Sequence, residues 1–167
     1  MVARSSAESH VAWVLAIPAM ALTAAGVLLD EPALLPWSAA LEAILYFYAA
    51  GSLIYYMMND HRVSADELFA AGATFTLLAW GFAYAYFVCQ AVYPESFHSA
   101  VEPDRPRRWL ELLSFSFSNL SATGLSDILP IGSPARVLAM LEQFAGVGYI
   151  ATVVSRLIGL TIIRERR

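Results

Sequence analysis

The run Trp109-Leu110-Glu111-Leu112-Leu113-Ser114-Phe115-Ser116-Phe117-Ser118-Asn119-Leu120, continued by Ser121-Ala122-Thr123-Gly124-Leu125-Ser126-Asp127-Ile128-Leu129-Pro130, changes character halfway. Its first part, apolar and aromatic, predicts a helix over 108–120. Such a helix covers roughly 20 Å at 1.5 Å per residue, too short for a hydrocarbon core of about 30 Å. Its second part is small and polar, with a single glycine, Gly124, ahead of Pro130. On either side lie the apolar stretches Leu68 to Val92 and Pro134 to Ile163, each long enough to span a bilayer. A short helix and a polar loop between two spans predict a re-entrant segment. Irregular backbone at that depth is tolerated only where protein buries it or where it lines a cavity.

Working outward, two further apolar stretches precede these, Val11 to Leu29 and Trp37 to Met58, so the chain reads as four membrane spans. Composition agrees: 59% of the 167 residues are hydrophobic, above the roughly 45–50% of soluble domains. The first stretch follows Arg4 as a signal peptide would, but Glu8 spoils a basic leader, and it is read as a membrane helix. Asp30-Glu31-Pro32 and Pro36 turn it into the second, giving an N-terminal helical hairpin over 1–63. A polar link with Ser64 and Glu67 at capping-box spacing opens a second unit over 64–167. Its parts are an outer helix 68–92, a short helix 108–120, a loop 121–127 and an inner helix 134–163. The proline- and charge-rich segment from Tyr93 to Arg107 is expected in water. Trp13, Trp37, Tyr55, Tyr56, Tyr93 and Trp109 fall near span ends, where amphipathic rings favour the interface, whereas Trp80 falls mid-span. Arg4, Arg62, Arg164, Arg166 and Arg167 against Arg105, Arg107, Arg108 and Arg136 weakly favour both termini in the cytoplasm.

Several functions are set aside on the same grounds. A net charge of −4 supplies no broad cationic face for nucleic acid. Cys89, the sole cysteine, permits no intrachain disulfide and reads as a small buried hydrophobe. There is no G-x-S-x-G, no P-loop and no His/Glu metal pair at helical spacing, so an enzyme is not expected, nor is a resident cofactor.

The quoted run resembles the pore helix and filter of the two-transmembrane potassium channels, whose pattern is similar to F-x-D-A-L-Y-F-S-x-x-T-L-T-T-V-G-Y-G-D-I-x-P. Without gaps, Glu111 falls on the acidic residue, Phe115-Ser116 on F-S, Gly124 on the first filter glycine, and Asp127-Ile128 with Pro130 on D-I-x-P. The likeness continues through Leu141-Glu142, Gly146, Tyr149, Arg156-Leu157 and Gly159, covering about Leu68 to Ile163. It implies an all-α membrane protein: four transmembrane helices plus a re-entrant pore helix and filter loop per subunit, assembled as a homotetramer among lipids. Such a pore would carry monovalent cations, K+ or Na+. The implied filter is Ser121, Ala122, Thr123, Gly124, Leu125, Ser126 and Asp127, with the carbonyls of Thr123 and Gly124 replacing the ion's water. Glu111 and Glu142 would support it, the latter through a serine hydroxyl, and Gly146 or Gly148 would be a gating hinge or a close-packing contact. A prokaryotic cytoplasmic membrane is the implied location.

The filter departs from its model. Against T-V-G-Y-G-D stands Ala122-Thr123-Gly124-Leu125-Ser126-Asp127, so a residue other than glycine, Ser126, is expected to bear the left-handed backbone of the second glycine. Either a shortened carbonyl cage under a wider mouth of Thr123, Ser126 and Asp127 gives weak selectivity, or packing enforces the family geometry. The first is favoured. Asp127 either faces the mouth or braces the loop. Glu42 reads as a protonated or hydrogen-bonded acid near the outer interface, and His61 as a solvated loop histidine. A non-conducting, channel-like membrane scaffold or regulatory subunit is the alternative function.

Overall fold

A computed structural model describes the backbone of residues 2–59, 65–103 and 105–165, and the side chains of these apart from 2–11, 65–67, 157 and 159–165. The elements are α1 (Val2–Leu28), a 3-10 turn (Pro32–Leu34), α2 (Leu35–Asn59), α3 (Ala65–Val92), β1 (Phe97–Ser99), α4 (Trp109–Leu120), β2 (Ile128–Pro130) and α5 (Ser133–Glu165). His61 and Ser64 lie outside the described residues.

The chain reverses between α1 and α2 at Asp30, whose φ of 53° is left-handed, while the Glu31 amide reaches back to the Gly26 carbonyl at 3.0 Å. This is the helix-ending arrangement usually built on glycine, here carried by an aspartate, which tolerates it better than most residues. α1 packs on α2, α2 on α3, and α3 on both α4 and α5. At the α2–α3 seam the Phe47 ring meets Phe82 edge-on at 4.9 Å. Gly81 leaves it room, since a Cβ there would sit 3.1 Å from the ring.

Three stretches are long and apolar enough to cross a membrane: Pro32–Asn59, Leu68–Val92 and Ser133–Arg156. The fourth expected span is not matched in the same way, because the described apolar part of α1, Ala12–Leu28, is shorter and contains Pro18, which removes a helical hydrogen bond. Trp80, set apart from the interfacial anchors by its mid-span position, packs inward. It lies 5.1 Å from Trp109 at the start of α4 and 5.5 Å from Tyr46 on α2.

The segment from Tyr93 to Arg107 is not simply in water. β1 pairs antiparallel with β2, Phe97 opposite Pro130 and Ser99 opposite Ile128. Phe97 is buried against Tyr86 and Phe115. Arg107 is buried too, its main chain gripped at both ends by the Gln90 amide (2.7 and 3.0 Å). A proline-rich, charged composition concealed one aromatic that enters the core. The core itself, Ala79, Phe82, Tyr86, Leu112, Phe115, Leu120, Ile128 and Ala139 among others, gathers where α3, α4 and α5 meet.

Candidate pore and filter

α4 starts where Glu111 folds back onto the Arg108 amide at 2.6 Å, satisfying a donor that the first turn leaves free. Arg105 forks onto the same carboxylate at 2.8 and 2.7 Å. The Arg105 guanidinium foremost, with the Arg108 amide, holds the Glu111 carboxyl down at about 2. Glu111 thus anchors the end of α4 away from residues 121–127. The helix then buries Leu112, Leu113, Phe115, Ser116, Asn119 and Leu120.

At its other end α4 closes on itself. Ala122 N–H donates to the Asn119 carbonyl (3.0 Å) and Thr123 N–H to the Ser118 carbonyl (3.1 Å), with Ala122 left-handed at φ 56°. This pair of bonds is a Schellman turn with alanine where glycine is usual. Gly124 N–H and the Thr123 hydroxyl also reach Ser118 O, at 3.3 Å each, and the Ser121 hydroxyl bonds Phe117 O at 2.6 Å. The next left-handed residue is Gly124, φ 67°. Ser126 is not among the residues of positive φ, which corrects the expectation that it bears the second glycine's conformation. Left-handed residues do recur two apart, but at 122 and 124. The Schellman turn sets that register by placing its reversal at the first residue beyond the helix cap.

Beyond the turn, Leu125 is 83% exposed, and Ala122, Thr123, Gly124 and Asp127 are exposed as well. The Ser126 hydroxyl accepts the Ile128 amide at 3.1 Å. Asp127 accepts from the Ser99 hydroxyl at 2.8 Å, so one carboxylate oxygen braces the loop to β1. Sequence reasoning found no partner for Asp127, because Ser99 belonged to a segment assigned to solvent. The Ile131 and Gly132 amides both close on Ser96 O, at 2.9 and 3.1 Å, delivering the chain into α5.

Behind the turn lies a buried polar cluster. Glu142 of α5 is fully buried and bonds the Ser116 hydroxyl of α4 and, at 2.5 Å, the Tyr86 hydroxyl of α3. Ser116 also bonds the Ala79 carbonyl at 2.8 Å, and the Asn119 amide approaches Tyr86 at 3.4 Å. Tyr86 and Asn119 had carried no assignment. One turn along α5, a Cβ on Gly146 would lie 2.8 Å from the Leu120 carbonyl carbon, so this glycine lets the end of α4 touch α5 backbone. Gly148 meets nothing within 4 Å. α5 runs through both glycines without interruption. Glu42 lies apart from this site, hydrogen-bonded to Thr23 of α1 at 3.2 Å.

A short helix wedged between two helices long and apolar enough to cross a membrane, and ending in an exposed turn, defines a helical membrane protein. Residues 43–162 match the model of a family described as "Ion channel", and the chain belongs to that family, the potassium-channel type of pore with two transmembrane helices. The match begins inside α2, upstream of Leu68. No curated protein and no solved structure matches the chain significantly.

Proposed function

We propose that the chain is one subunit of a homotetrameric channel that passes monovalent cations, K+ and Na+, passively along their gradients, with weaker discrimination than a two-glycine filter gives. The observation that carries this reading is the exposed turn at Ser121–Asp127, held at the end of a buried pore helix in a member of an ion-channel family. A ring of such loops would offer carbonyl oxygens to a dehydrating ion, and one chain supplies only a sector of the ring. Weak selectivity is supported by the left-handed pair falling at Ala122 and Gly124, and by the amides of Thr123 and Gly124 being turned back to Ser118. Both leave fewer residues in the alternating conformation that stacks carbonyls along an axis. In this reading α1 serves as a fourth span, α1 and α2 form an outer layer around the pore, and both termini face the cytoplasm of a prokaryotic cell.

Purified protein in liposomes tests this. Cation flux with a reversal potential near zero under opposed Na+ and K+ is the expected result. A strong K+ preference would overturn the wide-filter reading. Absence of any flux would favour a non-conducting scaffold instead.

A further inference from the structure

We propose that Glu142 is held inside the membrane as a neutral carboxylic acid, donating a hydrogen to Ser116 and receiving one from Tyr86, and that this proton fixes the pore helix against the two helices flanking it. The proposal rests on the reading of residues 121–127 as a filter, since it assigns Glu142 the task of positioning the helix that carries them.

The argument is a count of hydrogens. Three oxygen-to-oxygen contacts run in series: Ala79 O to Ser116 Oγ, Ser116 Oγ to Glu142 Oε1, and Glu142 Oε2 to Tyr86 Oη. Each needs one hydrogen. Ser116 and Tyr86 bring one apiece, and a carbonyl brings none. Ser116, Tyr86 and Glu142 are all fully buried from solvent and touch one another directly, so within this chain of contacts one hydrogen is still to be placed. It must reside on Glu142. With it, every contact closes: Glu142 donates to Ser116, Ser116 donates to Ala79 O, and Tyr86 donates to the other carboxyl oxygen. Were Glu142 ionised, Ser116 would give its hydrogen to one neighbour and face the other lone pair to lone pair, an unsatisfied contact of the kind buried sites avoid.

The surroundings agree. The groups facing Glu142 are Tyr86 from α3, with Cys89 one turn along, and Ser116 and Asn119 from α4. None is a cation. The ion pairs among the described residues belong to Arg105, at the far end of α4. An unpaired carboxylate in such a place is costly, whereas a neutral acid acts as donor and acceptor at once. The geometry also explains why one acid suffices. Ser116 and Leu120, one turn apart on α4, meet Glu142 and Gly146, one turn apart on α5. A hydrogen-bonded contact and a backbone contact together fix both the rotation and the depth of the pore helix.

Infrared spectroscopy of the full-length protein in lipid vesicles at about pH 8, well above the ordinary glutamate value, tests the proton directly. Subtracting Glu142→Gln from wild type should remove the carbonyl band of a protonated acid and leave the carboxylate band unchanged. A lost carboxylate band overturns the proposal. Tyr86→Phe keeps the ring but deletes one donor, so the acid band should move to higher frequency; an unshifted band counts against the assignment. For positioning, Glu142→Gln can donate to Ser116 and accept from Tyr86, and should keep the wild-type reversal potential. Glu142→Leu, similar in bulk but unable to bridge, should lose it, and a Leu variant with wild-type selectivity would reduce Glu142 to packing. If the wild type carries no current, the channel reading fails while the infrared result still decides the proton.

Discussion

Ala122 occupies a conformation that costs an L-residue roughly 1–2 kcal/mol, and it does so where α4 hands over to the turn at 121–127. Glycine there would relieve the strain but gain freedom in the unfolded chain, so Ala122→Gly should stabilise each subunit by about 1 kcal/mol. Thermal unfolding of the detergent-solubilised protein measures it, and a lowered midpoint would contradict the left-handed assignment. Gly146 poses the opposite case, with too little space where Ala122 has an awkward dihedral. A methyl group on it meets the Leu120 carbonyl. Gly146→Ala is expected to destabilise by about 1–3 kcal/mol through overpacking. Gly148→Ala, mid-helix with open space around it, should stabilise by about 0.5–1 kcal/mol. Equal effects at the two positions would argue against a close-packing role for Gly146.

At the scale of elements, α4 is held at both ends by different physics. Its C-terminal end is pressed on Gly146 and hydrogen-bonded through Ser116, whereas its N-terminal end depends on Glu111 and Arg105 near water. Because the Glu111 carboxyl sits at about 2 in the folded protein, below the ordinary glutamate value of about 4.3, its contribution is fully present above the latter. It is lost as pH falls through the folded value. Exposure screens this pair, so the contribution is small. Glu111→Gln should therefore flatten part of the stability loss between about pH 4.5 and 2, seen by acid titration of the melting temperature. An unchanged acid limb would show that the pair contributes nothing. The helices themselves were legible in the sequence, because long apolar runs and a short one between them leave few alternatives in a bilayer. The β1–β2 ribbon was not. It is three residues per strand, its one inward aromatic, Phe97, is surrounded by prolines and charges, and its partner strand is Ile128–Pro130, which also had a filter-flanking assignment. Ser99 and its bond to Asp127 were hidden for the same reason. Tyr86 escaped notice differently: on an aromatic-rich span, nothing in the pattern separates a ring that packs from one whose hydroxyl reaches a carboxyl two helices away.

At the scale of the whole molecule, the pattern of exposure along α5 bears on assembly. Ala135, Ala139, Glu142 and Gly146 recur at four- and three-residue intervals and face the other helices of the same subunit. Val137, Met140, Phe144, Val147 and Ile150 point away. Such an exposed apolar face is covered either by lipid or by neighbouring copies of the chain. Phe144 can separate them. It is 81% exposed, directly follows Gln143, whose amide reaches Asn119 near the end of α4, and lies two residues before Gly146 on the opposite side of α5, where neighbouring copies would converge in the proposed assembly. If subunits meet there, truncation removes the same aromatic anchor from four equivalent interfaces, each worth about 2 kcal/mol or more at a well-packed site. The subunit's own fold would lose little, since the ring makes few contacts within it. Phe144→Ala should then convert tetramers to smaller species in mild detergent, read by native mass spectrometry, while helical content stays that of wild type. Trp13→Ala, which removes an exposed ring from α1, should leave assembly unchanged. Tetramers that survive Phe144→Ala as well as they survive Trp13→Ala would place that face of α5 against lipid and require the pore axis to lie elsewhere.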